Sequence, residues 1–174
     1  GAKFDPNKTT WFQQHYLREQ ANEELADELR VLFPSLTQSN QELAIICGLM
    51  KERATFVQDI HIDGHYLFER PSEIDQESIS KKWKDDTSSL LLGWKSKLSQ
   101  LESFDAITIE KEFKSYLEEN AVGIGAVLLP FRLVVTGVGA GPGMFDISAY
   151  LGQKEVVERM EIGLEIIQKQ LNEK

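Results

Sequence analysis

Residues 121–145 carry a single formal charge, Arg132, inside the run L-P-F-R-L-V-V-T-G-V-G-A-G-P-G-M-F. So apolar a segment has to be buried, and a buried guanidinium has to be answered by the protein or by a ligand that needs a rigid donor fork. The glycines that follow (Gly137, Gly139, Gly141 and Gly143, with Pro142) suit a sharp turn or a close approach to the backbone. On the residues alone two readings stand: a buried strand and turn with Arg132 paired to a carboxylate, or a loop that binds through shape and a few donors. Pro130, Arg132 and the glycines break the segment before ~20 apolar residues accumulate, so it does not read as a membrane span. The glycine spacing is G-x-G-x-G-x-G, not G-x-G-x-x-G, and no Gly-Lys-Ser/Thr follows. Both the dinucleotide fingerprint and the phosphate-binding P-loop are therefore excluded at this place.

Elsewhere the apolar residues recur at helical spacing. Ser39 and Glu42 form a capping-box signature ahead of Leu43, Ile46, Leu49 and Met50. Leu90, Leu91, Trp94, Leu98 and Leu101 make a second stripe. Val156, Val157, Met160, Leu164, Ile167 and Leu171 make a third, on a terminal helix opening at Lys154 and Glu155. Shorter helices are expected over residues 9–20, 22–33, 75–85, 108–120 and 143–151, and only residues 127–136 have a mixed, extended character. The expected class is all-α, in two small helical subdomains over residues 1–70 and 71–174, with the boundary near Pro71.

At 174 residues and 41% hydrophobic content the chain is long enough to bury a core. The sole cysteine, Cys47, excludes an intrachain disulfide and suits a reducing compartment; among Ile45, Ile46, Leu49 and Met50 it reads as core, not nucleophile. With no apolar leader in G-A-K-F-D-P, a cytoplasmic location is expected. A net charge of −9 argues against indiscriminate nucleic-acid binding but leaves open local recognition of unstacked bases. His61 and His65 in H-I-D-G-H read as a solvated turn and not as a metal site. Lys81, Lys82 and Lys84 around Trp83 read as a solvated helix face, and no paired carboxylates offer acid–base catalysis. By residues alone this is a helical module without visible catalysis.

Four blocks, in order along almost the whole chain, give it a family likeness. They are K-F-D-P-N-K-T-T-W-F-Q-Q-H-Y-L at residues 3–17, L-M-K-E-R-A-T-F-V at 49–57, Tyr66-Leu67-Phe68, and L-P-F-R-L-V-V-T-G through G-P-G-M-F-D-I-S-A-Y-L-G at 129–152. Together they resemble the C-terminal anticodon-binding region of bacterial glutamyl-tRNA synthetases, class I enzymes. The family's H-I-G-H-like and K-M-S-K-S-like catalytic motifs are absent, and Lys97-Leu98-Ser99-Gln100 is only a faint echo of the second. The chain thus looks like the C-terminal half of a longer synthetase. It has no catalytic residue, cofactor or metal of its own, ATP and magnesium being expected on the parent's catalytic domain.

The resemblance implies particular contacts. Arg53 in K-E-R-A matches the arginine that reads the third anticodon base, a cytosine. An arginine fork donates to the O2 and N3 acceptors of that base, whereas a guanine presents donors there. Arg132 matches an arginine facing the anticodon loop. Gly141, Pro142 and Met144 match positions lining the pocket for the first two bases, with Met144 expected as an apolar surface for a base. Gly141 stands where some members carry a hydroxyl residue. Lys8 and Trp11 match a basic–aromatic pair near the inner side of the tRNA, though Trp11 also suits a core position. The implied partners are glutamate tRNA and the parent's catalytic domain, with no DNA, no membrane and a monomeric chain. The alternative is a free-standing helical module whose glycine loop docks a protein.

Overall fold

Residues 5–173 are described in a computed structural model, and among them there is no strand. The chain divides into two compact units, the first ending at Phe68 and the second beginning at Glu69.

In the first unit α1 (Pro6–Glu19) starts where Asp5 caps Asn7 N–H at 3.0 Å, with Pro6 at the first helical position, where no amide is needed. Lys3, in the first sequence block, lies outside the described residues. α2 (Asn22–Leu32) packs on α3 (Asn40–Met50), and a 3-10 turn, Lys51–Arg53, continues α3 toward α4 (Val57–Asp63). The capping box read from the sequence forms: Ser39 Oγ accepts from Glu42 N–H at 3.1 Å, and Glu42 accepts from Ser39 N–H at 2.7 Å. The core holds Leu25, Leu29, Leu43, Ile46, Cys47 and Ile60, all fully buried. Burial pushes the Cys47 thiol up to about 12, so it stays protonated and packs as the expected small core residue.

The second unit contains α5 (Gln76–Lys82), α6 (Thr87–Ser99), α7 (Ala106–Glu119), α8 (Leu128–Thr136), α9 (Met144–Leu151) and α10 (Gln153–Asn172). Trp94 of α6 is fully buried against the rings of Phe113, Tyr116 and Phe131, at centroid distances of 5.1, 5.7 and 5.9 Å. α10 packs along α8, α6 and α9. Among the described residues no single helix is long and apolar enough to cross a membrane.

Of residues 127–136, expected to be extended, all but Val127 at the N-cap are helical, as α8. Pro130 falls in the first turn, where its missing N–H breaks no helical hydrogen bond. The β-branched run Val134-Val135-Thr136 is buried, so packing decides the conformation over local propensity.

Arg159 of α10 is 4% exposed and donates to the Val135 carbonyl at the end of α8 (3.1 Å) and to Glu155 (2.9 Å). Glu155 also accepts from Arg70 Nε and Nη2 at 2.8 and 2.9 Å, and Arg70 reaches Glu158 as well. Hydrogen bonds from Arg70 and then Arg159 hold the Glu155 carboxyl at about 2, down from 4.5. A carboxyl whose pKa is lowered on folding adds stability that is complete above its unfolded value and lost as pH falls through its folded one. Thermal unfolding of the wild type should therefore fall between pH ~5 and ~2 more steeply than that of Glu155→Gln. Parallel pH profiles for the two proteins would show that the cluster does not contribute.

Candidate functional site

In the second unit the glycine loop leaves α8 through Gly137, which is left-handed (φ 78°) and donates to the Leu133 carbonyl at 2.8 Å. A Cβ at Gly137 would sit 2.5 Å from the Glu73 carbonyl oxygen, so glycine is required there twice over. The Gly137 carbonyl in turn accepts from Asp75 N–H at 2.9 Å, anchoring the loop to the segment ahead of α5. Thr136 Oγ1 lies 2.8 Å from the Arg132 carbonyl and 3.1 Å from that of Val138, and accepts from Val138 N–H at 3.3 Å. Arg132 is half-buried, and its Nη1 donates to the Pro142 carbonyl at 2.9 Å across the loop. The arginine therefore rises from a helix, not a strand, and it holds its own glycine loop closed.

That geometry bears on the pocket residues expected from the resemblance. Met144 opens α9 with its side chain 2% exposed, and Pro142 is buried as well. In the free protein the expected apolar surface at Met144 is therefore covered. The surface left to a ligand is backbone: Gly139, Ala140 and Gly143 are exposed and Gly141 is half-buried. Glycine amides without flanking side chains can approach an acceptor closely, so the loop offers shape and N–H donors instead of a hydrophobic platform.

In the first unit Arg53 ends the 3-10 turn after α3. Its neighbours are tied to the end of α1: Lys51 Nζ donates to the Gln20 carbonyl (3.1 Å), and Arg18 donates to the Glu52 carbonyl (2.8 Å) and pairs with its carboxylate (3.3 Å). Ala54 is buried behind it. On the far side the Asp59 carboxylate accepts from the amides of Thr55 and Phe56, at 3.1 and 2.9 Å. Arg53 itself is exposed, and among the described residues its side chain has no hydrogen-bond or ion-pair partner. The turn that presents this fork is fixed on both sides, so its backbone need not rearrange for the guanidinium to meet an incoming acceptor.

Lys8 and Trp11 both lie exposed on α1. Trp11, which also suited a core position, is 57% exposed and stacks on His15 at 5.2 Å. The ring under Lys8 Nζ is that of Phe12, 6.0 Å from its centroid. His61 also departs from its expected solvated turn. It lies in α4 and packs against Phe33 (4.3 Å) and Phe68 (4.7 Å). No cluster of His, Cys, Asp or Glu among the described residues is arranged to hold a metal.

Two exposed rings escape the sequence reading. Tyr16 of α1 is 68% exposed and Phe56, ahead of α4, is 48% exposed. They line one cleft of about 240 Å³. Phe56 stands three positions after Arg53, and that proximity was the available signal; nothing in sequence ties Tyr16 to it.

Residues 17–164 match a family described as the anticodon binding domain. The chain is 32% identical over 163 residues to the glutamate–tRNA ligase of Christiangramia forsetii, covering 92% of this chain and 32% of that protein. With the glutamate–tRNA ligase of Flavobacterium johnsoniae the identity is 37% over 163 residues, with the same coverage. Among solved structures it superposes with a TM-score of 0.88 and 32% identity on a glutamate tRNA ligase from Elizabethkingia meningosepticum in complex with its amino acid, over 96% of this chain and 34% of that one. The chain spans about a third of the length of the curated relatives it matches, a smaller share than the half expected from the sequence.

Proposed function

The chain belongs to the anticodon binding domain family, and from that premise we propose that it is the tRNA-recognition part of a glutamate–tRNA ligase. The two helical units act as two anticodon subdomains, and ATP and magnesium serve a catalytic part of the parent that carries the motifs missing here. The observation that carries this reading is the family match over residues 17–164, joined to ligase relatives of about threefold greater length. The partner is glutamate tRNA, met by a monomeric chain in the cytoplasm. With a net charge of −9 the protein has little to gain from the phosphate backbone as a whole. Recognition rests on local donors instead. Arg53 reads the third anticodon base through its exposed fork. Arg132 sets the conformation of the glycine loop, whose amides at Gly139 to Gly141 meet the first two bases. Pro142 and Met144 support that loop from below, and Lys8 and Trp11 meet the RNA along α1.

Titration with an anticodon stem-loop of glutamate tRNA tests the reading: it should bind in preference to an unrelated stem-loop of equal length, and equal affinity for both would sink the proposal. Arg132→Ala should weaken that binding by more than its effect on folding explains. Losing the bond to Pro142 removes ~1 kcal/mol of stability and also releases the loop that meets the RNA. Stem-loop affinity of the folded fraction, beside thermal unfolding, separates the two effects. A destabilised variant with undiminished affinity would make Arg132 purely structural.

A further inference from the structure

The cleft of about 240 Å³ in the first unit has a mixed lining that no role assigned so far uses. Two exposed rings, Tyr16 and Phe56, with exposed Leu32, half-buried Val57 and buried Leu17, provide its apolar surface. Gln13 and Gln58 are exposed, and each amide offers both a donor and an acceptor. Thr55 adds a hydroxyl, 3.3 Å from Gln14 Nε2. The single charged residue lining the cleft is Glu28, whose carboxylate accepts from Gln20 Nε2 at 2.8 Å.

This chemistry selects among occupants. A phosphate would meet a carboxylate and no cation, so the cleft is not a backbone site. A wholly apolar side chain or helix face would strand the two amides and the hydroxyl against it. A planar group with apolar faces and an edge of mixed donors and acceptors satisfies both parts of the lining, and a nucleobase is such a group. The volume lies below the ~300–1,000 Å³ of pockets for drug-sized ligands, which suits one ring system. Asp59, bonded to the amides of Thr55 and Phe56, fixes the backbone that presents the Phe56 ring. The same turn presents Arg53 three residues earlier.

We propose that this cleft takes one unstacked base of the bound RNA, stacked on Tyr16 and Phe56, in addition to the base met by Arg53. The inference rests on the tRNA-binding reading above, and the experiment keeps the two apart. Wild type, Tyr16→Ala, Phe56→Ala and the control Val31→Ala, a change at an 81% exposed position of α2, are titrated with the glutamate-tRNA anticodon stem-loop. A set of stem-loops, each abasic at one loop position, is titrated in parallel. Each ring deletion should weaken binding about fivefold to more than a hundredfold, the range for loss of one base–aromatic stack, while Val31→Ala matches the wild type. One abasic position should weaken wild-type binding similarly and leave Phe56→Ala no further loss, because both changes remove the same contact. Wild-type preference for the stem-loop with folded Tyr16→Ala and Phe56→Ala variants of undiminished affinity would overturn the cleft and leave the tRNA reading standing. Absence of any wild-type preference would overturn both. Ring variants that bind RNA normally but lower the thermal transition of the full-length parent would give the cleft to a protein segment and also overturn the proposal.

Discussion

Arg53→Gln in the full-length parent should narrow the ratio of kcat/KM between glutamate and glutamine tRNAs, mainly by admitting the wrong one. Arginine offers only donors, whereas a glutamine amide carries one donor group and one acceptor and meets a guanine edge about as well as a cytosine edge. In the free protein Arg53 is exposed, on a turn held by Lys51, Glu52 and the Asp59 carboxylate, so the substitution removes the reading group without disturbing its support. The ratio should change by ~1–3 kcal/mol, the size of a good base-reading contact. An unchanged ratio, measured with both tRNAs on both enzymes, would remove the third-base role from Arg53.

On the stability side, a large effect is expected at Gly163. The Cβ of an alanine there would lie 2.7 Å from the Val134 carbonyl oxygen, 2.8 Å from its Cβ and 2.9 Å from its Cα. Two of these atoms are backbone, so α8 itself would have to move away from α10. Alanine in mid-helix is favoured over glycine by ~1 kcal/mol, but overpacking of this kind costs about 1–3 kcal/mol and more where backbone must shift. With the cost at the upper end of that range, less the helix gain, Gly163→Ala is expected to lose ~2 kcal/mol or more net. Gly125→Ala, whose added Cβ meets nothing within 4 Å, should stay within about 0.5 kcal/mol of wild type. Chemical denaturation of both variants checks the pair, and similar midpoints would mean that α8 yields to α10 without cost.

The all-α class and most helices were legible because their signals are local. Ser39 and Glu42 announce a start, and stripes such as Leu90, Leu91, Trp94 and Leu98 announce a buried face. α8 was not legible as a helix, because Val134, Val135 and Thr136 prefer strands locally and their helical state is set by burial against α10. The surroundings of His61 come from Phe33 and Phe68, beyond the reach of a local window. At the glycine loop the sequence marked Arg132 as a special residue, but its partner, a proline carbonyl ten positions away, leaves no trace in residue types. The burial of Met144 was equally hidden, since methionine suits a core and a contact surface alike. Arg53 and Gly141 came from block similarity and not from any physical pattern in the chain.

Cys47 gives the first unit a built-in chemical reporter. The chain has one thiol, on α3, fully buried and held protonated by that burial. Alkylating reagents attack thiolates in contact with solvent, so modification has to wait for the surrounding helices to part. The rate of labelling under native conditions therefore measures how often that unit opens, with no contribution from a cysteine in the second. Adding RNA to such an assay converts binding at the Arg53 turn into a change of labelling rate, because a ligand held by the closed form makes opening rarer.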